Sequence, residues 1–596
     1  MRNNRNTYNP LLSRRAFLLG AGKLGLLSIL ASKMFYMQLI NQDKYKTLSD
    51  KNRINLVILP PIRGQIYDST GLLLATNKPC FRLLLNKNDN FKYYFDELEL
   101  ISKILDLSEE TKNYILKKAK NATRRIPVVI LDQLTWEQIS LIEEQKLQFT
   151  SVFIDIGYMR SYPMSLSTSH LIGYMGQLNE QEKQVFIPGN VEDFTVGKSG
   201  VEKYYENLLR GEFGYKQMEV NAFGKCVREL SDVKALCGKD IYLNIDSTIQ
   251  DKIQPYLNKQ GCSAIVMDST NGNVIILATT PYFESNNFAK LSKDYWNSLI
   301  NDPYKPLINK AVQNTYPPGS VFKIITVLAA LEAGIREDKI VNCIGGVSAL
   351  GTNSFRCSSK HGHGAMNMRD AIKYSCNAYM YEIAKLIGAD RIIEMAIRFG
   401  FGAKTNIDIP SEASGFVPSK QWKQDKFKSK WTLGDTLNLS LGQGFLLSTP
   451  IQLARFVTAI ASNGKLFTPR IVKNEPQFEQ VQIKLEYLQI IQEAMYLAVN
   501  TQGGTAYLSR IVDKNHQLAG KTGTAQVQAK ANIDDDLNRM NIAWERRNHA
   551  VFIGFAPYHN PKYSISVFVD HGGAGGRAGA PIASRIMEEI LKKHVI

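Results

Sequence analysis

The sequence predicts an α+β protein whose C-terminal part is one antiparallel sheet flanked by helices. Two apolar strands are joined by a turn at Thr270-Asn271-Gly272, which is a good hairpin signal. Strands at both ends of this part, with helical patterns between them, favour a single antiparallel sheet. We expect strands at 264–268, 274–278, 517–526, 550–555 and 563–569, and helices at 321–333, 368–387, 449–461 and 486–499.

Length and charge limit the domain organisation and the partners. A chain of 596 residues is too long for one core and suggests two or three domains. The formal net charge of +17 would suit nucleic acid, but no nucleic-acid-binding signature accompanies it, so we expect no such partner. Attraction to an anionic membrane surface or polymer is one explanation of the charge, and a diffuse excess of lysine without function is another.

The N-terminus has the pattern of a membrane anchor. Arg2, Arg5, Arg14 and Arg15 precede a mostly apolar run over 16–40. A cleaved signal peptide is the alternative, but no clear small-x-small cleavage site follows the apolar core. The two adjacent arginines also resemble a twin-arginine export signal. Either route leaves the body of the protein on the outer side of a bacterial inner membrane.

The segment after the anchor predicts a small, exposed lobe. Residues 60–77 alternate like two strands around a turn, with Arg63 and Asp68 close enough to pair. Charged segments with helical spacing follow at 96–120 and 135–146. A strand over 238–246 then leads to a helix beginning near Ser247, where we place the domain boundary.

Ser320 is the strongest candidate for chemistry, because the sequence places it at the start of an apolar helix. Pro317-Pro318-Gly319 cannot lie inside a regular helix, and the run that follows is apolar. Lys323 lies one turn further on the same face and is the only charge before Glu332. Burial would remove water from its ammonium group and lower its pKa towards the range of a general base.

The Ser-x-x-Lys pattern alone is weak evidence. It occurs twice more, at Ser231/Lys234 and at Ser462/Lys465, in a polar segment and in a turn after a helix. Ser320 also has an ordinary alternative role as a helix cap, and Lys323 as a snorkelling surface lysine.

Two further motifs follow in order, Ser375-x-Asn377 and Lys521-Thr522-Gly523-Thr524. Ser-x-x-Lys, Ser-x-Asn and Lys-Thr-Gly form the set found in penicillin-binding proteins and β-lactamases. The chain resembles a class B penicillin-binding protein of the elongation type, penicillin-binding protein 2. The resemblance covers nearly the whole chain and also includes Arg63-Gly64-x-Ile66-x-Asp68, Gly200/Glu202/Tyr205/Glu206, Gly434-Asp435-Thr436, Gly442-Gln443-Gly444, Gly554-Phe555-Ala556-Pro557, His571-Gly572-Gly573 and Ala580-Pro581-Ile582-Ala583.

This resemblance implies an architecture and a function. The expected parts are a cytoplasmic tail, a single-pass anchor, an elongated α/β pedestal of the dimerisation type and a periplasmic transpeptidase domain, at 1–15, 16–40, 41–246 and 247–596. The implied activity is peptidoglycan D,D-transpeptidation during cell elongation, without a required cofactor. Stem peptides are the implied substrates, β-lactams the inhibitors, and a membrane glycan polymerase and other elongation-complex proteins the partners.

Three other functions remain open at this stage. A division-type class B transpeptidase and a non-catalytic β-lactam sensor or scaffold share the resemblance. A β-lactamase shares the motifs, but it would gain nothing from a large second lobe, and no glutamate is placed as an obvious deacylation base.

The resemblance also implies roles for the acylation residues. Ser320 would attack the carbonyl between the last two D-alanines of a stem peptide, with Lys323 accepting its proton. Ser375 would relay that proton to the departing D-alanine, and Asn377 would hydrogen-bond Lys323 or the substrate backbone.

The third motif would bind the substrate. Lys521 would supply positive charge for the terminal carboxylate, and Thr522 a hydroxyl that orients it. The backbone N–H groups of Ser320 and Thr524 would form the oxyanion hole, with Gly523 between the two threonines.

A possible metal site adjoins the second motif. Cys343, Cys357 and Cys376 fall with His363 in a short span, and three thiolates with an imidazole suit tetrahedral zinc. This set resembles a structural zinc site in some elongation-type relatives, where carboxylates occupy some of the positions. A Cys343–Cys357 disulfide and free thiols beside a loop histidine are the alternatives. Zinc would pin the loop at 350–364 against the catalytic motif.

Overall fold

The computed structural model describes residues 14–36, 54–85, 91–121, 127–179, 181–182, 194–220, 226–289, 291–345, 348–350, 353–527 and 543–594. The helices are α1 (Arg14–Phe35), α2 (Phe91–Ile104), α3 (Glu109–Asn121), α4 (Trp136–Glu144), α5 (Ser169–Ile172), α6 (Gly200–Tyr204), α7 (Glu206–Arg210), α8 (Ser247–Lys252), α9 (Lys293–Asn301), α10 (Lys323–Glu332), α11 (Met368–Lys373), α12 (Asn377–Arg398), α13 (Lys420–Phe427), α14 (Leu433–Ser440), α15 (Pro450–Ala461), α16 (Leu485–Asn500) and α17 (Gly579–His594).

The strands are β1 (Ile54–Leu59), β2 (Ile66–Tyr67), β3 (Leu73–Leu85), β4 (Val128–Leu131), β5 (Val152–Ser161), β6 (Met175–Gln177), β7 (Thr195–Gly197), β8 (Gly214–Val220), β9 (Cys226–Val233), β10 (Ile241–Tyr242), β11 (Cys262–Asp268), β12 (Val274–Thr280), β13 (Val341–Cys343), β14 (Ser348–Leu350), β15 (Asn353–Phe355), β16 (Gly364–Met366), β17 (Lys465–Phe467), β18 (Phe478–Gln480), β19 (Ala519–Ala525), β20 (His549–Ala556) and β21 (Tyr563–Val569).

The C-terminal part contains the predicted antiparallel sheet, with five strands in the order β12-β11-β21-β20-β19. Successive residues of a strand point to opposite faces, so Phe552 packs in the core that includes α17, whereas Ile553 packs in the core that includes α10 and α15. Helices α15 and α17 both contact β21. The sheet flanked by helices is therefore confirmed, and its strands begin and end within two residues of the predicted limits.

The predicted helix at 368–387 is wrong, because the structure has two helices there. Ser375, between α11 and α12, has a φ of 57°, which is left-handed and cannot continue a right-handed helix. Apolar spacing continues across this three-residue break, so the pattern gives no sign of it. Helix α12 then runs to Arg398 with a kink at Gly388.

The described chain forms two compact units. The first comprises Met1–Pro61, Cys80–Gly157 and Glu212–Leu236, and the second comprises Ile62–Pro79, Tyr158–Gly211 and Cys237–Ile596. In the first unit, α2, α3 and α4 occupy the two segments with predicted helical spacing, and Thr135 and Gln138 form a capping box on α4. The four-part division predicted from the sequence stays a prediction.

Helix α1 corresponds to the predicted anchor. Its segment Phe17–Phe35 is long and apolar enough to cross a membrane, and none of it is buried. The helix begins two residues before the predicted anchor at 16–40. Residues 1–13 of the predicted tail at 1–15, and residues 37–40 of the predicted anchor, lie outside the described residues.

Arg63 does not pair with Asp68 as predicted. Its Nε donates to Glu202 and its Nη2 to Glu206, each at 2.7 Å, while Arg160 Nε donates to the other Glu202 oxygen at 2.7 Å. Asp68 instead accepts hydrogen bonds from its own turn and from the start of α8. The prediction failed because these arginine partners lie far away in the sequence.

We expect Glu202→Ala to lower the free energy of unfolding of the second unit by about 3–5 kcal/mol, because the buried Arg160 loses its carboxylate partner and the buried Arg63 keeps only Glu206. Denaturant unfolding of the purified protein measures the loss. The control is Asp390→Ala, because Asp390 forms an exposed ion pair with Lys420 worth at most about 1 kcal/mol. Equal losses in the two variants would contradict this prediction.

Candidate active site

Ser320 lies on a short 3-10 helix, Gly319–Phe322, that leads directly into α10. Gly319 has a φ of 58°, and a Cβ atom there would lie 2.6 Å from the carbonyl oxygen of Thr524. Both the backbone conformation and the close approach therefore require glycine. We call the segment 316–322, which carries Ser320, the serine turn. The Gly319 N–H donates to the carbonyl of Gly442 at 2.9 Å, so the serine turn lies between β19 and the loop after α14.

Lys323 is fully buried at the start of α10. Its Nζ donates to Asn377 Oδ1 at 2.6 Å, to the Ser375 carbonyl at 2.7 Å and to Ser375 Oγ at 3.1 Å. The helix break at Ser375 places these groups within reach of the lysine. The structure thus brings the first two predicted motifs together.

Burial changes the protonation of both predicted lysines. It lowers the pKa of Lys323 to about 8, although the negative charges of Cys357 and Cys376 act in the opposite direction. Burial also lowers the pKa of Lys521 well below its usual value, and the nearby charge of Lys323 lowers it further. A larger fraction of Lys323 is therefore the neutral amine, which can accept a proton, than in an exposed lysine.

The third motif lies on β19, the edge strand of the main sheet. Lys521 is fully buried, and its Nζ donates to the Thr522 carbonyl at 2.9 Å. A Cβ atom on Gly523 would lie 3.1 Å from the Pro318 carbonyl oxygen, which shows how closely the strand approaches the Ser320 turn. All three motifs consequently meet at one place.

Sequence reasoning gave no role to two other parts of the site. Gln443 Nε2 donates to the Thr524 carbonyl at 3.1 Å and so ties the loop after α14 to β19. The motif Gly442-Gln443-Gly444 is the sequence signal that could have indicated a role for Gln443 in the site. A buried ion pair between Lys310 and Asp570, at 3.1 Å, neighbours Tyr316 at the start of the serine turn, and no sequence pattern pointed to it.

The four predicted metal ligands also lie together. The donor atoms of Cys343, Cys357, His363 and Cys376 are all within 4.8 Å of one another. His363 Nδ1 is 3.5 Å from Cys343 Sγ and 3.4 Å from Cys357 Sγ, and the sulfurs of Cys357 and Cys376 are 3.8 Å apart. All three cysteines are free thiols, without the Cys343–Cys357 disulfide.

This cluster contacts the catalytic motif through Asn377. The Asn377 backbone N–H donates to Cys357 Sγ at 3.3 Å, and its Nδ2 donates to the Arg356 carbonyl at 3.1 Å. The hydrogen bond between the two thiols lowers the pKa of Cys357 and raises that of Cys376. One asparagine therefore contacts both the thiol cluster and the buried lysine.

Comparisons with known proteins show the family of this chain. The model of the penicillin-binding protein transpeptidase domain matches residues 262–588, and that of the penicillin-binding protein dimerisation domain matches residues 58–243. Peptidoglycan D,D-transpeptidase MrdA of Haemophilus influenzae is 33% identical over 98% of this chain and 92% of its own length. The Acinetobacter baumannii protein of that name is 34% identical over 93% of this chain and 84% of its own length.

Solved structures show the same relationship. In the complex between penicillin-binding protein 2 (PBP2) and MreC from Helicobacter pylori, the matching chain is 30% identical, with a TM-score of 0.82 over 91% of this chain and 100% of that one. Pseudomonas aeruginosa PBP2 in complex with WCK 5153 is 26% identical, with a TM-score of 0.67 over 90% and 96% of the two chains. The chain therefore belongs to the class B penicillin-binding proteins, in the elongation-type penicillin-binding protein 2 family.

Proposed function

We propose that this protein is a peptidoglycan D,D-transpeptidase of the elongation type, a serine-type acyl-transferring enzyme and a penicillin target. Relatives named for this activity match almost the whole chain. The observation that carries the proposal is the buried Lys323, held by Ser375 and Asn377 one turn after the half-buried Ser320.

In the proposed acylation, Ser320 Oγ attacks the carbonyl between the last two D-alanines of a stem peptide. Lys323 accepts the serine proton, which is favourable because burial has lowered its pKa to about 8. Ser375, whose Oγ is 3.1 Å from the lysine, passes that proton to the amine of the departing D-alanine. Asn377 keeps the lysine in place and is available to the substrate backbone.

We assign substrate binding to β19 and the serine turn. The N–H groups of Ser320 and Thr524 would stabilise the oxyanion of the tetrahedral intermediate. Lys521 is fully buried with its Nζ donating to the Thr522 carbonyl, and its protonated form would attract the terminal carboxylate while the Thr522 hydroxyl orients that carboxylate. Because Gly523 has no side chain, β19 can approach the serine turn closely enough to bind both the oxyanion and the terminal carboxylate.

The second half of the proposed reaction transfers the acyl group. The amine of a second stem peptide attacks the Ser320 ester, the serine oxygen leaves and recovers a proton, and a crosslink forms. A β-lactam imitates the donor strand and leaves Ser320 acylated, because no amine acceptor displaces it rapidly.

Labelling with a fluorescent penicillin, followed by peptide mapping of the modified residue, tests the proposal. The expected product is one acyl group on Ser320 that is released slowly. Rapid hydrolysis of the bound penicillin would favour a β-lactamase instead, and a label on another residue would remove the assignment of the nucleophile.

We further propose a structural zinc held by Cys343, Cys357, His363 and Cys376. A tetrahedral zinc with bonds of about 2.3 Å to sulfur and about 2.0–2.1 Å to nitrogen needs sulfur atoms about 3.8 Å apart and sulfur–nitrogen pairs about 3.6 Å apart. Three of the six donor-atom separations, at 3.8 Å, 3.4 Å and 3.5 Å, are close to these values, and all six are within 4.8 Å. Zinc would act as a crosslink that fixes the loop at 350–364 against Asn377.

The zinc proposal predicts about one equivalent of metal in the purified protein, and less than about a tenth of an equivalent would contradict it. Cys376→Ser should lose most of this zinc, because it removes one of four ligands. Cys262→Ser is the matched control, since Cys262 is also buried but lies outside the cluster. Metal analysis by mass spectrometry gives the occupancy of each variant.

We also propose the membrane arrangement and partners implied by the family. Residues 1–15 would be cytoplasmic, 16–40 would span the inner membrane, and a pedestal at 41–246 and a transpeptidase domain at 247–596 would be periplasmic. The apolar helix α1 supports the anchor. The solved complex of a relative with MreC supports an elongation-complex partner, and a membrane glycan polymerase is the second partner we propose.

A further inference from the structure

Two thiols of the cluster differ in accessibility although they are neighbours. The sulfurs of Cys357 and Cys376 are 3.8 Å apart, and Cys357 is partly exposed whereas Cys376 is buried. A thiol that solvent can reach, beside a second thiol that can resolve it, is the arrangement typical of redox-sensitive cysteines. A carboxylate in either position could not react in this way.

We propose that Cys357 and Cys376 form an oxidation site that regulates the transpeptidase centre; this inference rests on the proposed function. The oxidant class is a peroxide. Hydrogen peroxide transfers one oxygen to the Cys357 thiolate, giving the sulfenic acid and hydroxide. The Cys376 thiolate then attacks this sulfur, the S–O bond breaks and a second hydroxide leaves. Two thiolates thereby lose two electrons in total, and the peroxide gains both.

The geometry favours this pair over the Cys343–Cys357 disulfide considered from the sequence. The His363 ring nitrogen contacts both Cys343 and Cys357, at 3.5 Å and 3.4 Å, so the imidazole bridges those two sulfurs. Cys357 and Cys376 instead contact each other directly. Once Cys357 is oxidised, Cys376 is therefore the thiol placed to resolve it.

Oxidation of this pair acts on the active site through two routes. A disulfide sulfur is no longer a thiolate, so the proposed zinc set loses two of its four ligands at once. The second route is direct, because Asn377 donates its backbone N–H to Cys357 Sγ and accepts a hydrogen bond from Lys323. Cys376 also immediately precedes Asn377 in the chain. The disulfide therefore disturbs the residue that holds the general base.

The test uses the full-length protein in detergent, purified under reducing conditions with its zinc, and treated with hydrogen peroxide. Peptide mapping without reduction should find a Cys357–Cys376 linked pair, and a chromogenic chelator should detect about one equivalent of released zinc. The rate of penicillin acylation should fall roughly tenfold or more, as expected when support of a metal site is lost. A dithiol reductant with added zinc should restore the rate.

Two variants provide the controls, each compared with its own untreated sample. Cys357→Ser should show no further loss of acylation after peroxide, whereas Cys262→Ser should respond like the original protein. The inference is overturned if the untreated protein is acylated and peroxide forms no Cys357–Cys376 disulfide, or forms it without slowing acylation. Failure of the untreated protein to react with penicillin would instead overturn the proposed function. Mapping of the disulfide does not require penicillin binding, so the two failures can be distinguished.

Discussion

Ser320→Ala is expected to abolish penicillin labelling and crosslinking while the protein stays folded. Among the described residues, the Ser320 hydroxyl has no hydrogen-bond partner, so its removal leaves no buried polar group unpaired. The proposed acyl-enzyme cannot form without this oxygen. Gel detection of fluorescent penicillin and measurement of crosslinked product follow the two activities, and thermal unfolding checks the fold.

A second Ser-x-x-Lys match in the same unit supplies the control. Ser462 lies at the end of α15, where its hydroxyl donates to the carbonyls of Thr458 and Lys465. Ser462→Ala should therefore keep full labelling although it changes the same sequence pattern. Loss of labelling in both variants would show a folding defect rather than loss of the nucleophile.

Complementation of a depleted strain distinguishes a transpeptidase from a β-lactam sensor or scaffold. In a strain depleted of its own elongation transpeptidase, Ser320→Ala should not restore growth as rods, whereas the unaltered chain should. Restoration by the alanine variant would favour a scaffold in which acylation is only a signal. Rescue of a division-depleted strain instead would favour the division-type alternative.

The placement of Ser320 and Lys323 at the beginning of α10 could be predicted, because it depends on the conformational preferences of neighbouring residues. Three residues that disfavour a helix, Pro317-Pro318-Gly319, fix where α10 can begin. The apolar helix also predicts burial of its one lysine, Lys323, and the structure buries this side chain fully, which lowers its pKa to about 8.

Other features could not be predicted because one backbone angle or a distant partner decides them. The positive φ of Ser375 divides a continuous apolar pattern into two helices. The carboxylates that bind Arg63 come from a segment that is far away in the sequence. The four-ligand cluster was predictable as a set, but the sequence could not show that the sulfurs of Cys357 and Cys376 lie 3.8 Å apart.

Lys323→Met is expected to slow penicillin acylation by about 10²–10⁴-fold, the usual contribution of a positioned general base. Methionine has a similar unbranched shape and fits the buried space, but it cannot accept the serine proton. It also removes the donor to Asn377 Oδ1 and the Ser375 carbonyl, so some stability should be lost, at about 1–3 kcal/mol for each unsatisfied acceptor. Stopped-flow acylation measurements give the rate, and thermal unfolding gives the stability.

The pH dependence separates loss of the base from this loss of stability. Only the neutral amine accepts a proton, and its fraction increases with pH, so the acylation rate of the unaltered protein should rise as pH passes through about 8. Lys323→Met should lose this rise, because methionine does not titrate. Lys465→Met is the matched control, since Lys465 is exposed and belongs to the second Ser-x-x-Lys pattern. A slow Lys323→Met protein that keeps the same rise near pH 8 would assign the proton acceptor to another group.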